Sequence, residues 1–139
     1  MEKIMKVMVY GSLKRGFGNH PLMKVAGAEF IDTATSSTND YLMAGVGESF
    51  PAIVKGTAYF KGEVYAISED GLEDYLDVLE SHPVFYKREL IDVTLDSTGE
   101  KVKAWAYILT DSYVARNGSR LKMDAKLLHC DNNTYEWRA

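Results

Sequence analysis

The chain has 139 residues, of which 46% are hydrophobic and 26% are charged. This length and composition are typical of a single folded domain, here expected to span residues 1–139, and they exclude a disordered chain. The formal net charge of −4 offers no basic surface to a phosphate backbone, so a nucleic-acid partner is excluded as well.

The first predicted elements are a strand and a short helix, joined by a glycine-bearing loop. Residues 4–10 are mostly β-formers with one charge, which predicts a largely buried strand that Gly11 ends. Asn19 is a candidate N-cap for a short helix over residues 20–26, and Gly27 is the candidate stop.

The middle of the chain predicts several strands. Residues 29–35 and 41–46 are candidates separated by a polar loop, and residues 52–54 are a shorter one. Residues 59–67 are rich in aromatic and β-branched side chains and form the clearest strand pattern. Gly62, inside that run, indicates a bulge or the close approach of another backbone.

An amphipathic helix is predicted over residues 69–80. Ser68 is its candidate N-cap, and two acidic residues follow in the first turn, where the helix dipole favours them. Apolar side chains recur at the spacing of one helix face: Leu72, Tyr75, Leu76 and Leu79. The helix is expected to end near Ser81, because Pro83 disfavours helical geometry at the residue before it.

A β-hairpin is predicted after this helix. Residues 90–95 alternate between apolar and polar, residues 102–109 are a second β-rich run, and residues 96–99 join them as a turn. The last thirty residues are weakly patterned and predict no element. Because no βαβ unit repeats, the order of elements predicts an α+β fold with a small, largely antiparallel, curled or barrel-like sheet.

Glu80 is the first candidate for chemistry. On an ideal helix it continues the row of Leu72 and Leu76, and so flanks the buried stripe. The opposite side carries Asp70, Asp74 and Asp77. Burial and the carboxyl end of the helix dipole would both favour the neutral acid, which could then exchange protons near neutral pH. Glu73 lies only about 20° further round the helix, so periodicity alone does not choose between the two glutamates.

The turn after the first strand is the second candidate. A strand that ends in Tyr10-Gly11-Ser12 before a glycine-bearing loop can direct successive backbone N–H groups towards one point, which suits a carboxylate or an oxyanion. The loop lacks the spacing of a nucleotide-binding motif.

Metal chemistry is not expected. The three histidines, His20, His82 and His129, have no metal-ligand spacing. Cys130 with a distant histidine is a conceivable nucleophile, although a single cysteine is more often packed or exposed.

The expected compartment is the cytoplasm. A lone cysteine forms no intrachain disulfide, as is usual in a reducing environment. The N-terminal residues lack the apolar run of a signal peptide, and no apolar stretch approaches the roughly 20 residues of a membrane span, so no membrane is expected as a partner. Nothing in the sequence indicates the oligomeric state.

Three motifs in order resemble the γ-glutamyl cyclotransferase-like superfamily, most closely its γ-glutamylamine cyclotransferase branch. They are VYGSLKRG at residues 9–16 followed by Asn19-His20, GEVY at residues 62–65, and L-D-x-x-E-x-x-P-x-x-Y-x-R at residues 76–88. The resemblance runs from about residue 7 to residue 109.

The resemblance implies a compact, partly closed barrel with the helix 69–80 alongside it. It also implies that Glu80 is the catalytic glutamate. The implied substrate-binding residues are Tyr10, Gly11, Ser12, Leu13, Tyr86 and Tyr107. The reaction is an intramolecular cyclisation, so no metal, covalent nucleophile or cofactor is implied.

The implied activity is conversion of a γ-glutamylamine, such as γ-glutamyl-lysine, or a related γ-glutamyl compound to 5-oxoproline with release of the amine. Ser12 stands where the amine branch typically has threonine, whereas serine is usual in the peptide-cleaving branch. Two alternatives remain: a non-catalytic protein that binds a small carboxylate on the same fold, and a lyase that removes the γ-glutamyl group from a biosynthetic intermediate. The segment after residue 110 matches no motif and is considered as a wall of the cavity.

Overall fold

Five strands close into a barrel in the computed structural model, which describes residues 3–138. Numbered in chain order, they are β1 (Ile4–Val9), β2 (Glu29–Ser36), β5 (Tyr59–Ser68), β6 (Tyr86–Leu95) and β7 (Lys101–Leu109). The order is β1-β7-β6-β2-β5, and β5 pairs with β1 to complete the circle. Each pair is antiparallel except β1 with β7. The predicted α+β class with a largely antiparallel, barrel-like sheet is confirmed.

The remaining strands form a small sheet and an extension of the barrel. The small sheet contains β3 (Tyr41–Val46), β4 (Phe50–Lys55) and the two-residue β8 (Leu121–Lys122). The strands β9 (Leu128–Asp131) and β10 (Thr134–Trp137) form a C-terminal hairpin. Its strand β10 pairs with β5 and so joins the hairpin to the barrel. Strand β4 begins before the predicted residues 52–54, and the C-terminal strands had no counterpart in the sequence prediction.

Apolar side chains of the barrel strands fill its interior. Ile91, Val93 and Leu95 alternate along β6 and are all buried, as the hairpin prediction requires. Trp137, at the end of β10, is 1% exposed and packs into the same cluster. Gly62 is a point of close backbone approach, because a Cβ there would overlap the carbonyl oxygen of Val9 on β1.

Within residues 3–138, three helices lie around the sheets. Helix α1 is Pro21–Val25, and α3 is Asp111–Asn117, followed by the 3₁₀ turn Gly118–Arg120. Helix α2 has three consecutive parts: the α-helical Glu69–Gly71, the π-helical Leu72–Leu76 and the α-helical Asp77–Leu79. Within residues 3–138 no helix is long and apolar enough to cross a membrane.

The π-helical turn changes which side chains of α2 are buried. Leu72 and Leu76 are fully buried as predicted, whereas Tyr75 and Leu79 are 38% and 40% exposed. The prediction that Asp77 points away from the core was wrong, since its side chain is only 12% exposed. Hydrogen bonds from i to i+5 widen the turn, so each residue rotates less than in the α-helix that the prediction assumed.

The start of α1 also differs from the prediction. The N-cap is His20 rather than Asn19, and no side chain caps the helix. The side chain of Asn19 donates instead to the hydroxyl of Ser12, at 2.8 Å. By contrast, the predicted cap of α2 is confirmed, because Ser68 Oγ accepts from the backbone N–H of Gly71 at 3.0 Å.

Candidate functional site

A pocket of about 380 Å³ opens beside the end of β1. Its volume lies towards the lower end of the range for small-molecule sites. The lining includes every residue that the sequence predicted for the site: Tyr10, Gly11, Ser12, Leu13, Glu80, Tyr86 and Tyr107. The structure therefore brings these residues together, while their roles in binding and catalysis stay predictions.

The turn after β1 presents backbone N–H groups that the protein leaves without acceptors. The carbonyl of Gly11 accepts from the N–H of Lys14, and the carbonyl of Ser12 accepts from the N–H of Asn19, both at 3.0 Å. Across residues 3–138, the N–H groups of Gly11, Ser12 and Leu13 donate to no protein acceptor. These three donors are consequently available to a ligand with a carboxylate or an oxyanion.

The hydroxyl of Ser12 is also oriented by its neighbour. Its oxygen accepts a hydrogen bond from the side-chain amide of Asn19, which itself lines the pocket. An oxygen that accepts from Asn19 keeps its own O–H free to donate elsewhere. The turn thus adds a hydroxyl donor to its backbone donors.

Buried charged side chains hold the turn against the barrel. Glu63 on β5 accepts from the backbone N–H of Arg15 at 3.0 Å, from Arg15 Nε at 3.2 Å and from the hydroxyl of Tyr65 at 2.9 Å. The ammonium of Lys14 donates to the backbone carbonyl of Trp137 at 2.6 Å. Anchors on β5 and β10 therefore fix the segment that follows the pocket turn.

Glu80 lies at the last turn of α2 and lines the pocket. Its N–H donates to the carbonyl of Leu76 at 3.0 Å. The next two N–H groups complete a Schellman cap: that of Ser81 donates to Val78 O at 3.2 Å, and that of His82 donates to Asp77 O at 2.9 Å. Ser81 has a φ of +53° in this cap, a conformation usually taken by glycine. The cap fixes the backbone that carries the Glu80 carboxyl.

Burial raises the pKa of the Glu80 carboxyl to about 7. Because a charged carboxylate loses hydration in a partly buried site, the protonated, neutral form is favoured there. Glu73, which periodicity could not separate from Glu80, is exposed and does not line the pocket. The geometry of α2 therefore selects Glu80 as the carboxyl group of this site.

Three tyrosine hydroxyls surround the pocket, and each donates its proton to the protein. Tyr10 donates to the carbonyl of Tyr107 at 2.5 Å, Tyr86 to the carbonyl of Pro51 at 2.9 Å, and Tyr107 to Asp77 Oδ1 at 2.6 Å. Burial raises the pKa of all three phenols, and the Glu80 carboxylate raises each further. The three hydroxyls remain protonated at neutral pH and have only lone pairs left for a ligand.

Several lining residues were missed by the sequence analysis: Asn19, Ser49, Phe50, Pro51, Leu79, Ser81 and Phe85. Asn19 is quoted with the first motif, so closer attention to that motif could have found it, whereas Leu79, Ser81 and Phe85 stand at unspecified positions of the third motif. The residues at the start of β4 had no such signal, because only the folded chain brings them to the turn. An added Cβ on Gly11 would lie 2.8 Å from Cγ of Pro51, which shows how closely the two segments meet.

The segment after residue 110, which the sequence analysis considered as a wall of the cavity without assigning it a role, does not line the pocket within residues 3–138. Among the described residues, the last to line the pocket is Tyr107. The C-terminal hairpin packs against the barrel through β5 instead. In the same part of the chain, residues 3–138, no three His, Cys, Asp or Glu side chains group together as a metal site.

Comparison with known proteins identifies the family to which this barrel and pocket belong. The family model described as gamma-glutamyl cyclotransferase, AIG2-like, matches residues 7–128. The chain therefore belongs to the γ-glutamyl cyclotransferase, AIG2-like family.

Individual relatives agree with this assignment. A protein of Methanocaldococcus jannaschii provisionally named a gamma-glutamylcyclotransferase is 34% identical over 109 residues, covering 76% of this chain and 85% of its own. A Drosophila melanogaster protein with the same provisional name is 32% identical over 110 residues, which cover 75% of this chain and 69% of the Drosophila protein. The crystal structure of an AIG2-like protein from Mus musculus superposes with a TM-score of 0.67 and 28% identity, over 79% of each chain.

Proposed function

We propose that the protein is a cyclotransferase that converts a γ-glutamylamine, such as γ-glutamyl-lysine, to 5-oxoproline and the free amine, with Glu80 as acid and base. The observation that carries this proposal is the meeting, in one pocket, of a buried carboxyl group and a turn with free backbone donors. Family membership and the names of the relatives support the γ-glutamyl part of the substrate.

The pocket offers complementary groups to both charges of a γ-glutamyl group. Glu80 and the phenol oxygens of Tyr10, Tyr86 and Tyr107 are hydrogen-bond acceptors, which suit the three donors of an α-ammonium. The free N–H groups of residues 11–13 and the hydroxyl of Ser12 suit a carboxylate and the oxygen of the γ-carbonyl. A ligand with both charges would satisfy both sets.

The reaction then needs only proton transfers and a folded substrate. The Glu80 carboxylate takes a proton from the α-ammonium, and the freed amine attacks the γ-carbonyl carbon to form the ring C–N bond. The N–H groups of the turn stabilise the oxyanion of the tetrahedral intermediate. Protonated Glu80 returns the proton to the leaving nitrogen as the original C–N bond breaks. The regenerated carboxylate then takes the second proton from the ring nitrogen and passes it to the released amine, which leaves 5-oxoproline with a neutral ring N–H. A pKa near 7 suits a group that must both accept and donate at neutral pH.

The charges of the pocket favour an amine as the leaving group over an α-amino acid. No lysine, arginine or histidine side chain is found among its lining residues within 3–138. A γ-glutamyl amino acid carries a second carboxylate next to the leaving nitrogen, and that carboxylate would find no cationic side chain among these lining residues. A γ-glutamylamine places a methylene group there, so it escapes this cost of an unpaired charge.

The test is incubation of the purified protein with γ-glutamyl-ε-lysine and a panel of γ-glutamyl amino acids, with 5-oxoproline measured by mass spectrometry. We expect product from γ-glutamyl-ε-lysine and less from the amino-acid series. Glu80→Gln should lower kcat by at least about 100-fold, the usual contribution of general acid–base catalysis. Glu73→Gln is the matched control on the exposed face of α2 and should keep the wild-type rate.

Each result has a distinct meaning. Wild-type activity in the Glu80→Gln variant would remove Glu80 from the mechanism. Faster turnover of the γ-glutamyl amino acids would contradict the assignment of the leaving group. Calorimetric binding of 5-oxoproline or of a γ-glutamyl compound without any turnover would favour the non-catalytic binding protein.

A further inference from the structure

The polar groups of the pocket lie at its buried end. Tyr10, Tyr86 and Tyr107 are 7%, 5% and 3% exposed, and Gly11 and Leu13 of the turn are buried as well. A charged head group bound by the phenol oxygens and by the N–H donors of the turn would therefore lie inside the pocket, away from water. Any apolar part of the same ligand has to extend towards the mouth of the pocket.

Apolar side chains form much of the exposed part of the lining. Phe50 at the start of β4 and Phe85 just before β6 are half-buried, and Leu79 on the last turn of α2 is 40% exposed. We name these three residues the apolar rim. The ring centres of Phe50 and Phe85 lie 6.2 Å apart, so the two rings make one continuous surface.

The apolar rim is held in place by contacts outside the pocket. The backbone N–H of Phe85 donates to the carbonyl of Ser81 at 3.0 Å, and its carbonyl accepts from the N–H of Thr110 at 3.1 Å. Its ring centre lies 4.3 Å from that of Tyr113 on α3. Phe50 is held by the pairing of β4 with β3. Because these contacts form without a ligand, binding at the rim requires little additional ordering of side chains.

The apolar rim is also next to the proposed acid and base. Leu79 precedes Glu80 in the chain, and the backbone N–H of Tyr86, which follows Phe85, donates to the carbonyl of Glu80 at 3.3 Å. In the proposed reaction Glu80 returns a proton to the leaving nitrogen, so that nitrogen must lie within reach of its carboxyl group. A chain attached to this nitrogen can then pass from Glu80 over the rim towards solvent.

We propose that the apolar rim is the binding site for the leaving amine and that it selects amines with an unbranched alkyl chain or an aromatic ring. This inference rests on the proposed function and adds the chemical class of the amine to it. The other exposed residues of the lining are uncharged: Asn19, Ser49 and Ser81. A hydrocarbon chain that covers the rings buries apolar surface of both partners, whereas a charged group there would lose hydration without gaining an ionic partner.

The test is a binding series in which only the chain of the amine changes. γ-Glutamyl-n-alkylamides from methyl to hexyl are titrated by calorimetry into Glu80→Gln, which prevents turnover while its carbonyl oxygen still accepts from an ammonium. Full burial of a methylene group improves affinity about fourfold, so the half-exposed rim should give about twofold for each one added. γ-Glutamyl-ethanolamide matches the propyl compound in size but ends in a hydroxyl, and it should bind more weakly than the propyl compound.

Phe85→Ala tests whether the rim causes this dependence. In the Glu80→Gln background it should remove most of the gain with chain length, while the methyl compound keeps its affinity because its head group binds elsewhere. Val84→Ala is the matched control, since Val84 adjoins Phe85, is 78% exposed and does not line the pocket. This variant should keep the full dependence on chain length.

Equal affinities along the series, or a dependence on chain length that survives Phe85→Ala, would overturn the proposal. A uniform loss for every compound, the methyl compound included, would also overturn it, because Phe85 would then only support the fold. Where Phe85→Ala fails to fold, Phe50→Ala takes its place with the same expected results.

The binding series and the 5-oxoproline assay separate this inference from the proposed function. A dependence on chain length without turnover by the wild type would support the apolar rim as a binding site and contradict the cyclotransferase activity. Turnover of γ-glutamylamines with a kcat/KM that ignores chain length would support the activity and overturn the rim as the site of the amine.

Discussion

Glu80 links the chemistry of the pocket to the stability of the whole chain. Its pKa is raised from 4.5 to about 7 in the folded protein by burial, so the folded state binds this proton more tightly than the unfolded chain does. The stabilisation from this group is full below about pH 4.5 and is lost as the pH rises through 7. Burial of Glu80 therefore lowers the unfolding free energy of the protein at the pH where the carboxylate is formed.

The first prediction is that Glu80→Gln makes the protein more stable than wild type at pH 8. Between pH 5 and pH 8 the wild type should lose about 2 kcal/mol of unfolding free energy more than the variant, because glutamine has no proton to release. Urea denaturation at both pH values measures the difference. Glu73 is exposed, so Glu73→Gln should keep the wild-type dependence of stability on pH. Equal pH dependence in wild type, Glu80→Gln and Glu73→Gln would contradict the raised pKa of Glu80.

The second prediction concerns Gly11, whose missing side chain makes room for Pro51. A Cβ would lie 2.8 and 2.9 Å from two ring carbons of Pro51, so Gly11→Ala must displace one wall of the pocket. We expect a loss of about 1–3 kcal/mol in stability, and a higher KM if the proposed reaction is assayed. Gly18→Ala, in the same loop but with nothing within 4 Å, is the control and should change neither quantity.

At the scale of elements, the end of α2 shows strain next to the proposed catalytic group. Ser81 occupies the left-handed position of the Schellman cap with a φ of +53°, where a side chain costs about 1 kcal/mol relative to glycine. Non-glycine residues in this conformation are found where the surrounding structure holds them in place.

The third prediction is that Ser81→Gly raises the unfolding free energy by about 0.5–1 kcal/mol, since relief of strain exceeds the entropy that glycine adds to the unfolded chain. The midpoint of urea denaturation should rise with an unchanged m-value. Gly118, at the end of α3, has an ordinary φ of −55° and open space around it, so Gly118→Ala serves as the reference for a helix-terminal change of the same size. A fall in stability would show that the Ser81 side chain contributes contacts of its own.

The elements show which features a local pattern can predict. Alternation located residues 90–95 of β6, a run of β-formers located β7, and a serine followed by acidic residues located the start of α2, because all three signals depend on neighbours in sequence. The π-helical turn at residues 72–76 has no comparable signal. It rotated Asp77 into contact with Arg88 and Tyr107, so the buried network behind the pocket could not be predicted from an ideal helix.

The same contrast between local and long-range signals holds for the residues of the pocket. The turn at residues 10–13 and Glu80 were found from local motifs, and the structure brings them into one pocket. Pro51 and Phe50 were missed because their approach to that turn depends on the small sheet docking against the barrel. The C-terminal strands were missed because their short, polar sequences gain order from β5, to which they pair.

At the scale of the whole molecule, one lysine joins the pocket turn to the C-terminal hairpin. Lys14 is 7% exposed, and its ammonium donates to the carbonyl of Trp137 across 123 positions of sequence. Burial lowers the pKa of this amine, and the negative charges of Glu136 and Glu63 partly oppose that effect. The bond holds β10 beside the segment that follows the pocket turn.

The fourth prediction is that Lys14→Met lowers the unfolding free energy by about 1–2 kcal/mol, because the Trp137 carbonyl loses a charged donor while the packed methylenes are retained. Hydrogen exchange should speed up in β9 and β10 more than in β6 and β7. Lys24→Met changes an exposed lysine on α1 and should affect neither region. Uniform exchange changes across the barrel would show that the bond does not act locally.

The residues of the pocket come from positions 8 to 107 and from both sheets, so closing the barrel and assembling the site are one event. Unfolding of the barrel separates the turn at residues 10–13 from Glu80 and Tyr107, which the folded chain brings together. Any true ligand must then shift the melting temperature of the entire protein, by an amount equivalent to about 2.7 kcal/mol when its concentration is 100 times its Kd. A thermal-shift screen of small metabolites would thus find the natural ligand without any assumption about the reaction.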